Sequence, residues 1–512
     1  MRNLFVVLGD QLDAASQALA ELDPRRDAVL MMEVDEEATY VKQHKHRLVL
    51  FFAAMRHFRD ALRDAGWTVH YTEVDDRLNR GSFARELPRW IGKLRPSAVR
   101  VRQPGDHRVL RSLEEACASR KVPLEVVEDD HFLCPLDAFR EWRAGRKVIV
   151  LEHFYRWMRR REDILMEGSK PETGRWNYDA DNRSPWKKGT SIPTLPVHRY
   201  DALTKQVMTM VDARYADHPG ETSTFSLPVT RAQALRDLEA FLTERLPTFG
   251  VYQDAMPEGE PFVFHSRLSS ALNLHLLSAR EVVGGALAAY RDGGAPIAAV
   301  EGFVRQVLGW RELVRGIYWV EMPAYAGLNA LDARVPVPDV FWTGETEMRC
   351  VADAMKNVLT HGYAHHIQRL MVLGLYGLLL GVDPYALHEW HMALYADAID
   401  WVSLPNVLGM SQYADGGIVG TKPYAATGKY IKRMSTYCKT CRFRPEQRVG
   451  DDACPMTTLY WDFLLRNRKR LAGNTRMRMQ LKNVERLKDA EAKAIRAHAR
   501  KLRQPSGASG LA

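Results

Sequence analysis

Six cysteines among 512 residues are too few for a disulfide-stapled scaffold, and a chain this long builds two or more hydrophobic cores without staples. No apolar run is long enough to cross a bilayer. The longest, 370–382, is interrupted by Gly374, Gly377 and Gly381 and reads as a buried helix. At the N-terminus one strand's worth of apolar residues ends at Asp10, which is no signal peptide, so a cytoplasmic location is expected. Internal repeats are missing, and low complexity is confined to a Gly/Ser tail at 506–512, expected to be disordered. The first strand is not followed by a G-x-G-x-x-G turn, so an ordinary dinucleotide site has no support.

The remainder has the balance of a soluble globular protein, 46% apolar and 26% charged. The net charge of +9 is spread unevenly. Basic clusters at 156–161, 186–188, 422–433 and from 466 onward point to a polyanionic partner. For the tail stretch 493–503 alone a solvated face is the better reading, whereas the middle clusters carry interleaved aromatics.

Residues 1–133 alternate strand-like runs (3–8, 28–34, 69–74, 98–102, 124–127) with amphipathic helical ones (42–65, 83–94, 110–120). The alternation predicts an α/β domain with a doubly wound parallel sheet. Its ligand crevice opens beyond the carboxyl ends of the strands, where Gly9, Asp10, Gln11 and the stretch 33–40 fall. A polar linker rich in Pro and Gly, 134–200, carries one helical piece at 152–166. It leads into 201–505, where helical periodicity at 232–246, 269–290, 298–318, 345–380 and 384–401 predicts an all-α domain.

Cys438-x2-Cys441, followed after twelve residues by Cys454-Pro455, has the spacing of a metal or cluster site. A fourth ligand is missing locally, and Cys350, on the helix expected to begin near Glu345, is the best distant candidate. Cys117 and Cys134 read as small apolar residues of the other domain. Spacing leaves structural zinc and a [4Fe-4S] cluster undecided, although proline after the last cysteine is shared with ferredoxins.

Several long motifs carry a family likeness. LGDQL (8–12), GRWNYDADNR (174–183), GWRE (309–312), YAHHIQRLM (363–371) and TKPYAATGKYIKRMS (421–435) together resemble the bacterial iron-sulfur photolyase group, which comprises prokaryotic (6-4) photolyases and cryptochrome-like relatives. The resemblance implies a photolyase/cryptochrome fold with an N-terminal antenna domain and a C-terminal domain binding FAD. It also implies a [4Fe-4S] cluster on Cys350, Cys438, Cys441 and Cys454.

In the same scheme His265, Ser266, Arg267, Leu268 and Ser269 open a helix suited to the FAD diphosphate, with Arg311 nearby. Arg369 and Asp397 look like the ion pair beside the isoalloxazine ring, and Asn406 joins the cofactor-binding set. Ser403 stands where many photolyases place an asparagine facing flavin N5, and it lacks the amide's reach. Asp10, Gln11, Glu37 and Tyr40 are expected to hold a flat antenna, for which the resemblance suggests 6,7-dimethyl-8-ribityllumazine.

Repair of a (6-4) lesion needs an electron, a positioned acid and room for flipped bases. His366 matches the family's substrate-facing position, with His365 in support, and one of this adjacent pair is better read as a core histidine. Trp390 and Trp342 resemble the group's electron path, whereas His391 adds no oxidisable ring. Tyr424 is expected to line the lesion pocket. Trp176, Tyr178, Asp179, Arg183, Lys187, Lys188, Lys422, Lys429, Lys432 and Arg433 form the expected contact surface for UV-damaged DNA. The expected protein is a monomeric (6-4) photolyase. A cryptochrome-like photoreceptor, or a flavin-free iron-sulfur protein that binds nucleic acid, is the alternative.

Overall fold

The structure, a computed structural model, describes residues 1–146 and 148–504; the tail at 506–512 lies outside the described residues. Five parallel strands, β1 (Asn3–Val6), β2 (Ala28–Met32), β3 (Val69–Thr72), β4 (Ala98–Arg102) and β5 (Leu124–Val127), form one sheet in the order β3-β2-β1-β4-β5. Strand alternation sends each face to a different partner. Leu4, Val6, Leu30 and Val99 meet Leu87, Trp90, Val109 and Leu113 of the helices α2 (Phe83–Leu94) and α3 (His107–Ser119). Phe5, Val7, Val29 and Met31 face the helix α1 (Lys45–Asp64) and belong to a core continuous with the rest of the chain. Burial on both faces is why these strands read as apolar runs.

The first three strands stop about two residues short of the sequence expectation, and after the first two the chain turns into a crevice lined by Leu8, Gly9, Asp10, Glu33 and Val34. Strand order reverses between β1 and β4, and there the loop after β1 meets the loop after β4. They meet so closely that a Cβ on Gly105 would overlap the Asp10 carboxylate.

The second part is helical, as expected, but three of its anticipated long helices are broken. The stretch 269–290 divides into Ser269–Asn273 and Ala279–Arg291, because Ser278 and Glu281 form a reciprocal cap that starts a new helix. The stretch 345–380 stops at His361, where Gly362 takes a left-handed φ of +58°, and resumes at His366. The stretch 384–401 gives Pro384–Leu394 and then a separate helix from Asp400. In the linker the helical piece runs over Leu151–Glu162, joined by an unanticipated helix, Leu136–Arg143, and a small hairpin, Met166–Glu167 with Lys170–Pro171.

The two parts meet through buried histidines. His44 caps α1, accepting from the His46 N–H at 3.1 Å, while its Nε2 lies 2.9 Å from the Leu359 carbonyl of the helical part. The ring of His131 stacks on that of His275 at 3.6 Å. Burial pushes the pKa of His44 down to about 3 and those of His131 and His275 well below the ordinary value. These rings are neutral when folded but protonate in the unfolded chain near pH 6.5. Their stabilising contribution is complete above that pH and is lost as pH falls toward 3. Burial raises Asp10 to about 6 and Asp106 to about 7, and raises Asp13, Asp254, Glu301, Glu312, Asp353 and Asp415 as well, which acts in the opposite direction; the ten histidines that burial holds down outnumber them. The urea midpoint at pH 5 should therefore lie below that at pH 7.5, by about 2 kcal/mol of stability for each fully buried histidine. Equal midpoints would contradict this account.

Candidate active site

Helices normally close their hydrogen bonds four residues apart, and a wide, π-type turn in a helix re-aims the side chains that it carries. Three such turns, Arg305–Arg311, Arg369–Gly374 and Asn406–Ser411, border one cleft of about 1530 Å³ in the helical part. They deliver Gln306, Trp310 and Arg311, then Arg369 and Leu370, then Asn406, Met410 and Ser411 to its wall. His265, Ser266, Arg267 and Ser269 line it from the segment before and at the helix start, and Arg267 takes a left-handed φ of +58° there. Leu268 points the other way, into the core.

On one wall Arg369 and Asp397 form a two-pronged ion pair at 3.0 and 3.1 Å. Ser269 donates to the same carboxylate at 2.6 Å, and Asn273 holds the Asp397 carbonyl at 2.8 Å. Burial alone would raise the Asp397 carboxyl, but the Arg369 charge and these hydrogen bonds outweigh it and keep the carboxyl below its usual range. The Arg369 guanidinium also lies 3.9 Å over the Tyr395 ring.

Polar atoms on this wall lack protein partners. His265 Nε2, both ring nitrogens of His365, His391 Nε2, Arg311 Nε and Ser403 Oγ are buried without a hydrogen bond. A large ligand carrying both donors and acceptors would satisfy them, which is the character of a flavin dinucleotide. Burial lowers Arg311 to about 10, and its guanidinium stands 4.3 Å over Phe132, a desolvated cation suited to an anionic group. His365 is buried and stacks on His265 at 4.6 Å, whereas His366 is exposed to the cleft.

Behind Tyr395, Trp390 is fully buried, 5.7 Å from that ring and 5.2 Å from Phe341, whose carbonyl accepts its indole N–H at 2.6 Å. The next residue, Trp342, is 43% exposed. Tyr395 and His391, absent from the sequence-based set, both line the cleft. Tyr395 opens the turn 395–398 that follows the helix Pro384–Leu394 and carries Asp397, and no periodicity in the sequence marks it.

Around the cleft mouth, Arg183 holds a left-handed φ of +66° and forms ion pairs with Asp179 at 3.1 Å and Asp254 at 3.8 Å. Its charge reaches both His366 and Tyr424. Asp179 is also paired with Arg305, so it anchors the linker to the helical wall. Tyr178 is buried, its backbone N–H donating to Glu301 at 3.1 Å. Trp176 lies under the guanidinium groups of Arg156, Arg159 and Arg160, at 5.1, 5.1 and 4.7 Å. Both rings are thus engaged within the protein. Lys187, Lys188, Lys429 and Arg433 are exposed, Lys422 is half-buried, and Lys432 pairs with Glu446 at 2.7 Å.

Two further cavities complete the set. At the switch point of the sheet, Asp10, Glu37 and Tyr40 line a crevice of about 750 Å³ with Arg47, Asp106 and Asp400. Arg108 clamps Glu37 at 2.7 and 2.8 Å and lies over Tyr40 at 4.6 Å. Gln11 does not line it but braces the two loops, donating to the Arg102 and Gln103 carbonyls at 3.1 Å. In the helical part Cys350, Cys438, Cys441 and Cys454 line one cavity of about 320 Å³. Among the described residues no three side chains converge closely enough for a single metal ion. Gly428 belongs to that wall, and a Cβ there would come within 2.7 Å of the Cys454 sulfur.

This arrangement of parallel sheet, linker and cleft-bearing helices is the fold of the photolyase and cryptochrome class. It matches a bacterial class III photolyase from Agrobacterium tumefaciens (TM-score 0.56, 16% identity, 99% of this chain and 90% of that one). It also matches a Synechocystis cryptochrome (TM-score 0.54, 13% identity, 85% and 88%). The family model of deoxyribodipyrimidine photo-lyase-related proteins matches residues 5–227. A (6-4) photolyase from Agrobacterium fabrum is 46% identical over 477 residues, 93% of this chain and 94% of that protein, and the chain belongs to this bacterial photolyase family.

Because Arg369 and Asp397 are held out of bulk water, removing one partner strands the other charge. Asp397→Asn should lower stability by about 3 kcal/mol or more and empty the cleft of flavin. The double change Arg369→Met, Asp397→Leu should recover much of the stability in chemical denaturation but not the flavin retained after gel filtration. Full flavin retention by the double variant would show that the pair serves only the fold.

Proposed function

We propose that this chain repairs (6-4) pyrimidine-pyrimidone photoproducts in DNA under blue light, with the cleft as its FAD site. Bound there, reduced FAD supplies the excited-state electron that opens the lesion. The single observation that carries the reading is His366, open to the cleft beside the Arg369–Asp397 pair and within reach of the Arg183 charge. Enclosure by the cleft walls, then the charges of Arg369 and Arg183, lowers the His366 pKa even though its ring is open to the cleft, so the ring is neutral at pH 7 in the free protein. DNA phosphates and an anionic cofactor reverse that balance, and His366 then carries the proton that the lesion needs. His365, stacked on His265, fixes the backbone from which His366 projects.

Tyr424 offers a half-buried ring beside the cleft for an unstacked base. Lys187, Lys188, Lys422, Lys429 and Arg433 meet phosphates, and Lys432 must first leave Glu446. Trp390, one ring behind the cleft, and Trp342 at the surface form the electron path for flavin photoreduction. The crevice of Asp10, Glu37 and Tyr40 holds the antenna, 6,7-dimethyl-8-ribityllumazine, within a domain spanning 1–133. Cys350, Cys438, Cys441 and Cys454 hold a [4Fe-4S] cluster; all four line one small cavity, to which Cys350 is brought by the helix Arg349–His361. The cluster staples Cys350 to the 438–454 region and takes no part in the repair step.

Purified protein with reduced flavin should restore DNA carrying (6-4) lesions under blue light and leave cyclobutane dimers intact. Failure on the (6-4) substrate would sink the proposal. His366→Ala should cost at least about 100-fold in repair rate while flavin photoreduction keeps its wild-type rate. Trp390→Phe should do the reverse, slowing photoreduction but not repair by chemically pre-reduced protein. A His366→Ala variant that repairs normally would remove the acid from the mechanism.

A further inference from the structure

The basic run from residue 466 onward is left unused by the proposed function. Part of it is fastened to the lesion side of the molecule. Asn474 donates to the Thr421 carbonyl at 3.1 Å and the Tyr413 hydroxyl at 2.9 Å, and Arg476 donates to the Thr421 hydroxyl at 2.6 Å. Thr421 opens the loop that carries Tyr424, whose ring lies against Gly420 beside the wide turn Asn406–Ser411. The helix Arg478–Glu485 therefore begins two residues after a contact with the loop that carries Tyr424.

This helix buries Leu481 and Val484 and turns Arg478, Lys482 and, at its end, Arg486 to solvent. Successive members of the stripe are four residues apart, so they share one face. Like charges at this spacing oppose helix formation. Neighbouring basic residues find acids, Arg468 with Glu485 at 2.8 Å and Arg448 with Glu491 at 2.6 Å, but among the described residues none of the three stripe members has a carboxylate within ion-pair reach. A run of unpaired cations, continuous with a DNA-facing rim and kept despite its mutual repulsion, is the signature of a phosphate track.

We propose that the helix Arg478–Glu485 extends the DNA footprint beyond the lesion, with Arg478, Lys482 and Arg486 contacting backbone phosphates of flanking duplex. This rests on the reading of the cleft as a DNA lesion site. The contact is to backbone and not to bases, so it adds affinity for any sequence and leaves lesion choice to the cleft.

The test is binding of labelled (6-4)-damaged duplexes to flavin-loaded protein by fluorescence anisotropy across a salt series. A duplex of about 8 bp fills little more than the cleft, whereas one of about 24 bp reaches the helix. In the variant Arg478→Gln, Lys482→Gln, Arg486→Gln the log–log salt slope on the long duplex should fall by about 3, with affinity at low salt down at least tenfold. Binding to the short duplex and its repair should stay at wild-type values. The matching triple Arg478→Lys, Lys482→Arg, Arg486→Lys should keep the slope, and equal thermal midpoints for all three proteins would show that the fold is intact. An unchanged slope in the glutamine variant, or an equal loss on short and long duplexes, overturns the track. Absence of salt-dependent binding by the wild type overturns the lesion reading itself.

Discussion

A guanidinium and a carboxylate that meet in a protein cleft cannot part without leaving a desolvated charge behind, and Arg369 with Asp397 is such a pair. Much of the site is arranged around it. Arg369 sits at the first position of a wide turn, and Asp397 lies in the turn that follows the helix Pro384–Leu394. Ser269 and Asn273 tie the Asp397 side chain and carbonyl to the segment that carries His265 and Arg267. Tyr395, under the guanidinium, connects the pair to Trp390, and His366 precedes Arg369 by three residues. One interaction thereby fixes the spatial relation among the segment from His265 to Ser269, the proposed acid and Trp390 of the proposed electron path.

The strand pattern of the first part was legible because parallel strands buried on both faces are short apolar runs, and their order follows from connections of one hand. Helix breaks were less legible. The stretch 345–380 reads as one periodic helix, yet Gly362 takes a conformation open to glycine, and the backbone between it and His366 is extended enough to turn His365 and His366 to different sides. That break buries one histidine in the cleft wall and leaves the other open to the cleft. The wide turns left no trace in periodicity, since a single extra residue per turn lies within the scatter of any amphipathic pattern.

Motif likeness located the cleft better than it located the DNA surface. His265, Arg311, Arg369, Asp397 and Ser403 are separated by as many as 138 residues and arrive at one wall. Trp176 and Tyr178, by contrast, lie in a polar, basic linker, and residue type alone could not distinguish a ring offered to DNA from one already covered. Three arginines occupy Trp176, and Glu301 anchors the backbone at Tyr178. The four cysteines show the reverse case: a local C-x-x-C spacing names three neighbours, and Cys350, the distant candidate, comes to the same small cavity from the first turn of the helix Arg349–His361.

The most direct test of this account is the flavin content of the purified chain. FAD released by denaturation and separated by chromatography should approach one per chain, and the absorption spectrum before release should combine flavin bands with a broad iron-sulfur shoulder. A well-folded chain that carries no flavin, and takes up none when incubated with FAD, would contradict the assignment of the cleft and with it the repair chemistry built on His366.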